Sequence, residues 1–121
     1  MSKKILVVDD DELVLIAIRE LLTPLGFSVT TSANGPDALE KAASNQFDLV
    51  ILDVIMPEMD GFEVCKRIRR IDSYTETPIM MLTAKSGEEA RQRGLEMGAN
   101  LYLPKPISPK RLIALVEEAI K

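Results

Sequence analysis

The sequence predicts an α/β fold, a doubly wound parallel sheet of five strands, and two observations carry that prediction. Five short apolar runs alternate with five longer segments of helical periodicity along the 121 residues. The strongest runs, such as Ile5-Leu6-Val7-Val8, are continuous rather than alternating, which marks strands covered on both faces. Strands that alternate with helices pair in parallel through right-handed crossovers.

The first run ends at Asp9-Asp10-Asp11. Residues 12–23 then read as a helix, with Leu13, Ile16, Ala17 and Glu20 at helical spacing and Leu21 closing the apolar stripe. Acidic residues at its start suit the helix dipole, and Pro24 and Gly26 stop it. Phe27-Ser28-Val29-Thr30-Thr31 alternates and is rich in β-branched residues, as an edge or near-edge strand is. Asn34-Gly35-Pro36 supplies a cap and a proline start for a helix through about Ser44. Asp48-Leu49-Val50-Ile51-Leu52-Asp53 is the central strand by hydrophobicity.

A loop holding Met56-Pro57-Glu58-Met59 follows, and Asp60-Gly61 opens a helix with Phe62, Val64, Cys65 and Ile68 as its apolar positions. Pro78 precedes the fourth strand, Ile79-Met80-Met81-Leu82-Thr83. Ser86 and Glu89 stand at capping-box spacing for the fourth helix, which Gly98 ends. Leu101-Tyr102-Leu103 is a short fifth strand. Ser108-Pro109 is an N-cap followed by proline, opening a last helix that runs to the C-terminus. The expected architecture is a flavodoxin-like (βα)5 sheet in the order 2-1-3-4-5, one domain over residues 1–121. Sheets of this order bind ligands where the order reverses, outside the carboxyl ends of strands 1 and 3.

Composition narrows the functional classes. The chain is 46% hydrophobic and 28% charged, enough apolar material for a core and no sign of disorder. A net charge of −4 leaves no footprint for nucleic acid, and no partner of that kind is expected for this domain. The cluster Lys66, Arg67, Arg69, Arg70 reads as a solvated helix face. The absence of histidine removes Ser-His-Asp and Cys-His machinery and every imidazole metal site. The one cysteine, Cys65, excludes an internal disulfide and reads as a packed thiol. No apolar stretch reaches membrane-spanning length and no signal peptide stands at residues 1–8, so a cytoplasmic protein without membrane insertion is expected.

The chemistry converges at the carboxyl edge of the predicted sheet. If strands 1 and 3 are neighbours, Asp9, Asp10 and Asp53 meet about 5 Å apart at backbone level. Carboxylates at ~4 Å repel by roughly 1 to 4 kcal/mol, so something positive should offset them. A hard divalent ion fits, and Mg²⁺ suits a site of few carboxylates completed by water and phosphate oxygens. Strand 4 delivers the Thr83 hydroxyl to the same edge. Lys105 follows strand 5, roughly 10 Å from Asp53, a gap that its stem and a phosphoryl group could bridge together. Asp53 is then a candidate nucleophile for an aspartyl phosphate. Each residue alone has an ordinary structural reading, and Asp11 and Glu12 read as helix-start residues. It is the joint placement that asks for a function.

These residues resemble a known family. Ile5-Leu6-Val7-Val8-Asp9-Asp10, Leu52-Asp53 through Met56-Pro57 to Met59-Asp60-Gly61, Thr83-Ala84, and Gly98-Ala99 through Tyr102-Leu103 to Lys105-Pro106 are similar to response-regulator receiver domains, in order and along essentially the whole chain. The resemblance implies that Asp53 is the phosphoacceptor, charged by a histidine kinase or a phosphotransfer protein. It implies Mg²⁺ held directly by Asp10, Asp53 and the backbone carbonyl of Ile55, with Asp9 a ligand through water. Thr83 is implied as the switch hydroxyl, Lys105 as an ion-pair partner of the phosphoryl group, and Tyr102 as an aromatic that rotates inward with Thr83. The Lys105-Pro106 bond is expected to be cis. Ile55 and Lys85 occupy the positions that tune phosphoryl lifetime, and an apolar Ile55 suggests slow to intermediate loss.

The face of helix 4, strand 5 and helix 5 is the implied output surface, acting on a downstream protein that the sequence does not identify. Gly87 and Gly94 lower helix propensity by about 1 kcal/mol each, which makes helix 4 the expected mobile element. Such a protein is a switch and not a turnover enzyme. An aspartate-nucleophile phosphatase of the haloacid dehalogenase type would need an acid two residues after Asp53, where Ile55 stands. A flavodoxin would need a Ser/Thr/Gly-rich phosphate loop where Asp9-Asp10-Asp11 stand.

Overall fold

Apolar residues in the five runs alternate between two helical layers, and that alternation builds the molecule. A computed structural model describes residues 2–120. Along the chain run β1 (Lys4–Val8), α1 (Glu12–Leu22), β2 (Ser28–Ser32), α2 (Gly35–Ser44), β3 (Leu49–Leu52), α3 (Gly61–Arg69), β4 (Ile79–Thr83), α4 (Glu88–Glu96), β5 (Leu101–Pro104) and α5 (Pro109–Ile120). Short 3-10 turns at Thr23–Leu25 and Asp72–Tyr74 follow α1 and α3. The last helix was expected to reach the C-terminus, and Lys121 lies outside the described residues.

All strands are parallel, in the order β2-β1-β3-β4-β5, as expected. Val8 stands level with Ser32 on one side and Leu52 on the other, and Leu52 with Met81. This register brings the ends of β1 and β3 side by side. Leu6, Val8, Val50, Leu52, Ile79 and Met81 face one layer, packed on Ala38, Phe62, Val64, Cys65 and Ile68. Ile5, Val7, Leu49, Ile51, Met80 and Leu82 face the other, packed on Leu15, Ile18, Leu22, Leu112 and Val116. Each such side chain contributes roughly 1.5 to 3 kcal/mol on burial.

Most local signals are used as written. Asn34 accepts from the Asp37 amide, Asp60 from the Glu63 amide, and Ser108 Oγ from the Arg111 amide. Asp11 caps α1 through the Leu13 amide, the helix-start role expected of it. Lys105-Pro106 is cis.

Three expectations are corrected. The buried stripe of α1 is Leu15, Ile18 and Leu22, while Leu13 is 75% and Ile16 42% exposed. Every residue from Leu13 to Ile18 is apolar, so periodicity selects no face there. The Ser86/Glu89 capping box does not form. Gly87 takes the N-cap position at φ 104°, ψ 153°, a conformation essentially reserved for glycine, and no side chain caps α4. Gly87 therefore precedes the helix instead of weakening its interior. Arg69 is no solvated charge, since its guanidinium donates to the Tyr74, Thr77 and Gly98 carbonyls and to Asn100 Oδ1; Lys66, Arg67 and Arg70 are exposed as expected.

Candidate functional site

Asp9 directly follows β1 and Asp53 directly follows β3, so the register of Val8 with Leu52 sets both carboxylates at one edge. Both are nearly inaccessible, at 2% and 5% exposure, whereas Asp10 is exposed. One carboxylate oxygen from each of Asp9, Asp10 and Asp53 lies within 4.8 Å of the others. The donors are hard, anionic oxygens crowded on the rim of the sheet, the donor chemistry that Mg²⁺ takes.

The charge is partly balanced by Lys105. Its Nζ lies 2.7 Å from Asp9 Oδ2 and 3.1 Å from Asp53 Oδ2. The side chain alone spans the gap for which a bridging phosphoryl group had been expected. Lys105 also lines an apolar cleft of about 360 Å³ between α1 and the start of α5. Burial opposes the ammonium, but the hydrogen bonds and charges of Asp9 and Asp53 outweigh it and hold the Lys105 pKa above its usual value. Asp9 is pushed the other way from a normal carboxylate: burial and the Asp53 charge raise its pKa, against the Lys105 and Asp11 N–H bonds. The ammonium thus stays charged while one carboxylate is ionised at a cost.

Asp53 is held from its other side by its own loop. Its Oδ1 accepts from the Val54 amide at 2.7 Å and the Ile55 amide at 3.4 Å. The Ile55 side chain is 54% exposed at this rim. Gly61 is a site residue that sequence reasoning read only as a helix opener. A Cβ there would collide with the Asp53 carbonyl oxygen, and the Gly61 amide donates to the Val54 carbonyl at 2.9 Å. The start of α3 is thereby pressed on the backbone of Asp53. Glycine directly after the capping Asp60 is the signal that could have found it.

Thr83 ends β4, one residue beyond the level of Asp53, and is 1% exposed. Its Oγ1 accepts from the Lys85 amide at 3.1 Å. The Tyr102 hydroxyl donates to the Lys85 carbonyl at 2.7 Å, and its ring lies against Gly94, where a Cβ would stand 2.7 Å from Cδ1. Gly94 is thus a packing requirement as well as a weak helix former. The structure brings Asp9, Asp10, Asp53 and Lys105 into one cluster. Thr83 and Tyr102 meet instead through the two backbone groups of Lys85.

Among the described residues, no helix is long and apolar enough to cross a membrane. Burial raises the Cys65 thiol to about 11, and it is fully inaccessible, as a packed thiol should be.

Comparison with known proteins identifies the family and the fold. The family model described as "Response regulator receiver domain" matches residues 5–117. The chain is 43% identical over 121 residues to the alkaline phosphatase synthesis transcriptional regulatory protein PhoP of Bacillus subtilis, covering all of this chain and 50% of that protein. It is 40% identical over 121 residues to the response regulator MprA of Mycobacterium bovis, covering 52% of it. The chain spans about half the length of the curated relatives it matches. Among solved structures it superposes on the chemotaxis protein CheY4 of Vibrio cholerae with TM-score 0.94 and 38% identity, covering 98% of this chain and 99% of that one. The BeF3-activated receiver domain of DrrB gives TM-score 0.90 and 38% identity, over 99% and 98% of the two chains.

Proposed function

The chain belongs to the response regulator receiver domain family of two-component, phosphorylation-based signalling, and from that premise we propose that Asp53 is its phosphoacceptor. One observation carries the reading: three carboxylates and an ammonium converge where β1 and β3 end, at a cost in charge repulsion that no local structural need explains.

In this reading an Asp53 carboxylate oxygen attacks phosphorus in a phosphohistidine, the phosphorus–nitrogen bond breaks, and an aspartyl phosphate forms while the imidazole leaves. The donor is a histidine kinase or a phosphotransfer protein. The amides of Val54 and Ile55 fix the carboxylate, so its attack starts from one orientation. Lys105, already on Asp53, is placed to follow the new charge outward onto a phosphoryl oxygen. Asp10 and Asp53, with the Ile55 carbonyl, would hold Mg²⁺ directly and Asp9 through water; when bound, the ion neutralises charge on the carboxylates and the phosphoryl oxygens. Thr83 turns its hydroxyl from the Lys85 amide to the phosphoryl group, and Tyr102, tied to the same residue, moves with it. The α4–β5–α5 face then carries the change to a downstream protein or an output domain. An exposed, apolar Ile55 gives an attacking water no hydrogen bond, so phosphoryl loss is slow to intermediate.

The reading is of a switch that acts in the cytoplasm as one domain and promotes only its own phosphorylation and dephosphorylation. Mass spectrometry after incubation with acetyl phosphate and Mg²⁺ tests it, with Asp53→Asn alongside. A Mg²⁺-dependent phosphoryl adduct absent from the variant is the expected result. An adduct that survives in Asp53→Asn assigns the chemistry elsewhere. No adduct, together with no binding of beryllofluoride, overturns the proposal.

A further inference from the structure

The loop after Asp53 is pinned at one end by the Val54 and Ile55 amides on the carboxylate and at the other by the Asp60 cap of α3. Its middle is held differently. The Met59 amide donates to the Pro57 carbonyl at 2.8 Å, which closes a turn of three residues. Glu58, at the centre of that turn, has φ 68°, the one positive φ outside glycine among the described residues. A glutamate keeps such a backbone only where its surroundings impose it. Pro57 and Glu58 are exposed, so neither side chain supplies that constraint. Met59 is the residue of the turn that reaches back into the fold, partly buried against the cluster that holds Ala38, Phe62 and Val64.

The seat of Met59 is Gly35, the first residue of α2. A Cβ on Gly35 would lie 2.9 Å from Met59 Sδ, 3.0 Å from Met59 Cβ and 2.9 Å from Val64 Cγ2, closer than packed side chains approach. Gly35 is not among the glycines of positive φ, so the missing Cβ, and not backbone freedom, is what this contact uses. The start of α2 is itself fixed. Asn34 caps it through the Asp37 amide at 2.8 Å, and the buried Ser32 hydroxyl bonds the Asp37 carboxylate at 2.7 Å. Gly35 thus offers a firm socket, and Met59 fills it.

We propose that Met59 is a positioning residue for the acceptor: seated on Gly35, it holds residues 54–60 in the shape that keeps the Val54 and Ile55 amides on the Asp53 carboxylate. The Ile55 bond, at 3.4 Å, is already long, so a slack loop would lose it first. The inference rests on Asp53 as the phosphoacceptor. It adds that α2, which contributes no residue to the acidic cluster, sets the orientation from which Asp53 attacks.

Three variants test it. Met59→Ala empties the socket, Met59→Leu refills it with another apolar side chain, and Gly35→Ala blocks it. With acetyl phosphate and Mg²⁺, Met59→Ala and Gly35→Ala should gain the phosphoryl mass about tenfold more slowly than wild type, and Met59→Leu within about threefold of it. In the metal-free chain, Met59→Ala should speed exchange of the Val54 amide about tenfold relative to the amides of Val7 and Ile51, which report general stability. Equal labelling of Met59→Ala or Gly35→Ala and wild type overturns the inference and leaves the acceptor reading standing. So does a Met59→Leu chain as slow as Met59→Ala, or Val54 exchange that rises no more than that of Val7 and Ile51. A wild type that takes no phosphoryl group and binds no beryllofluoride overturns the acceptor reading and this inference with it. Should Gly35→Ala fail to fold, the two Met59 variants decide alone.

Discussion

Strands β3 and β4 lie side by side, and each delivers one residue to the site before turning into a helix on the same face of the sheet. The two arms are built differently. After Asp53 the chain turns through a loop whose amides bond the Asp53 carboxylate, then enters α3 under an Asp60 cap, with Gly61 pressed on the Asp53 backbone. α3 then buries Gly61, Phe62, Val64, Cys65 and Ile68. After Thr83 the chain passes through exposed residues and an uncapped Gly87 into α4, which buries only Ala90 and Gly94. The difference teaches where precision is kept. With Asp53 as the proposed nucleophile and Thr83 as the proposed switch hydroxyl, the first would need one fixed orientation and the second freedom to leave one partner for another.

The comparison can be broken at its firmest point. Gly61→Ala forces a methyl against the Asp53 backbone and should cost about 3 kcal/mol, the upper range for overpacking. It should also abolish acceptor activity in the acetyl phosphate assay. Urea unfolding measures the first effect and mass spectrometry the second, and an active variant of unchanged stability would show the β3 arm to be as tolerant as the β4 arm. Gly87→Ala meets no neighbour, so its cost is conformational alone, about 1 to 3 kcal/mol if the loop keeps its shape. A compliant loop will instead relax, and a loss well below that range sharpens the contrast. Asp60→Ala removes the α3 cap and should cost about 1 kcal/mol in thermal unfolding. The equivalent change at Ser86, which caps nothing, should leave the midpoint unmoved.

The smallest effect concerns Asp9, the carboxylate that β1 sets beside the rigid arm. Because burial raises the Asp9 pKa, the folded chain holds a proton there more tightly than the unfolded chain does. That contribution to stability is complete below the ordinary carboxylate value and is lost as pH rises through the raised one. Asp9→Asn should therefore flatten the decline in metal-free stability between the carboxylate range and neutrality. An identical profile in the variant would assign the decline to other groups.

The strand order and the acidic edge were legible because they rest on signals that few folds share: buried apolar runs, each ending in a chemically active residue. What was misread has a common cause. Leu13 to Ile18 are all apolar, so the buried face of α1 depends on where Asp11 starts the helix and not on periodicity. Ser86 and Glu89 have the spacing of a capping box, but the backbone of Gly87 moves the helix start past Ser86. Arg69 sits in a basic run and resembles its neighbours until tertiary structure sets four acceptors around it. Lys105 was placed by the fold, but its direct reach to Asp9 and Asp53 is a property of side-chain packing that no spacing rule contains.

The burial of Cys65 has a practical consequence. The molecule's one thiol sits at zero exposure between α3 and the end of α4, bonded to Met97 and with its pKa raised to about 11. A thiol-directed reagent can reach it only when those two helices part. At reagent concentrations where labelling outpaces reclosing, the rate of modification is the opening rate, and below them it reports the open fraction, both readable on the native sequence without a dye.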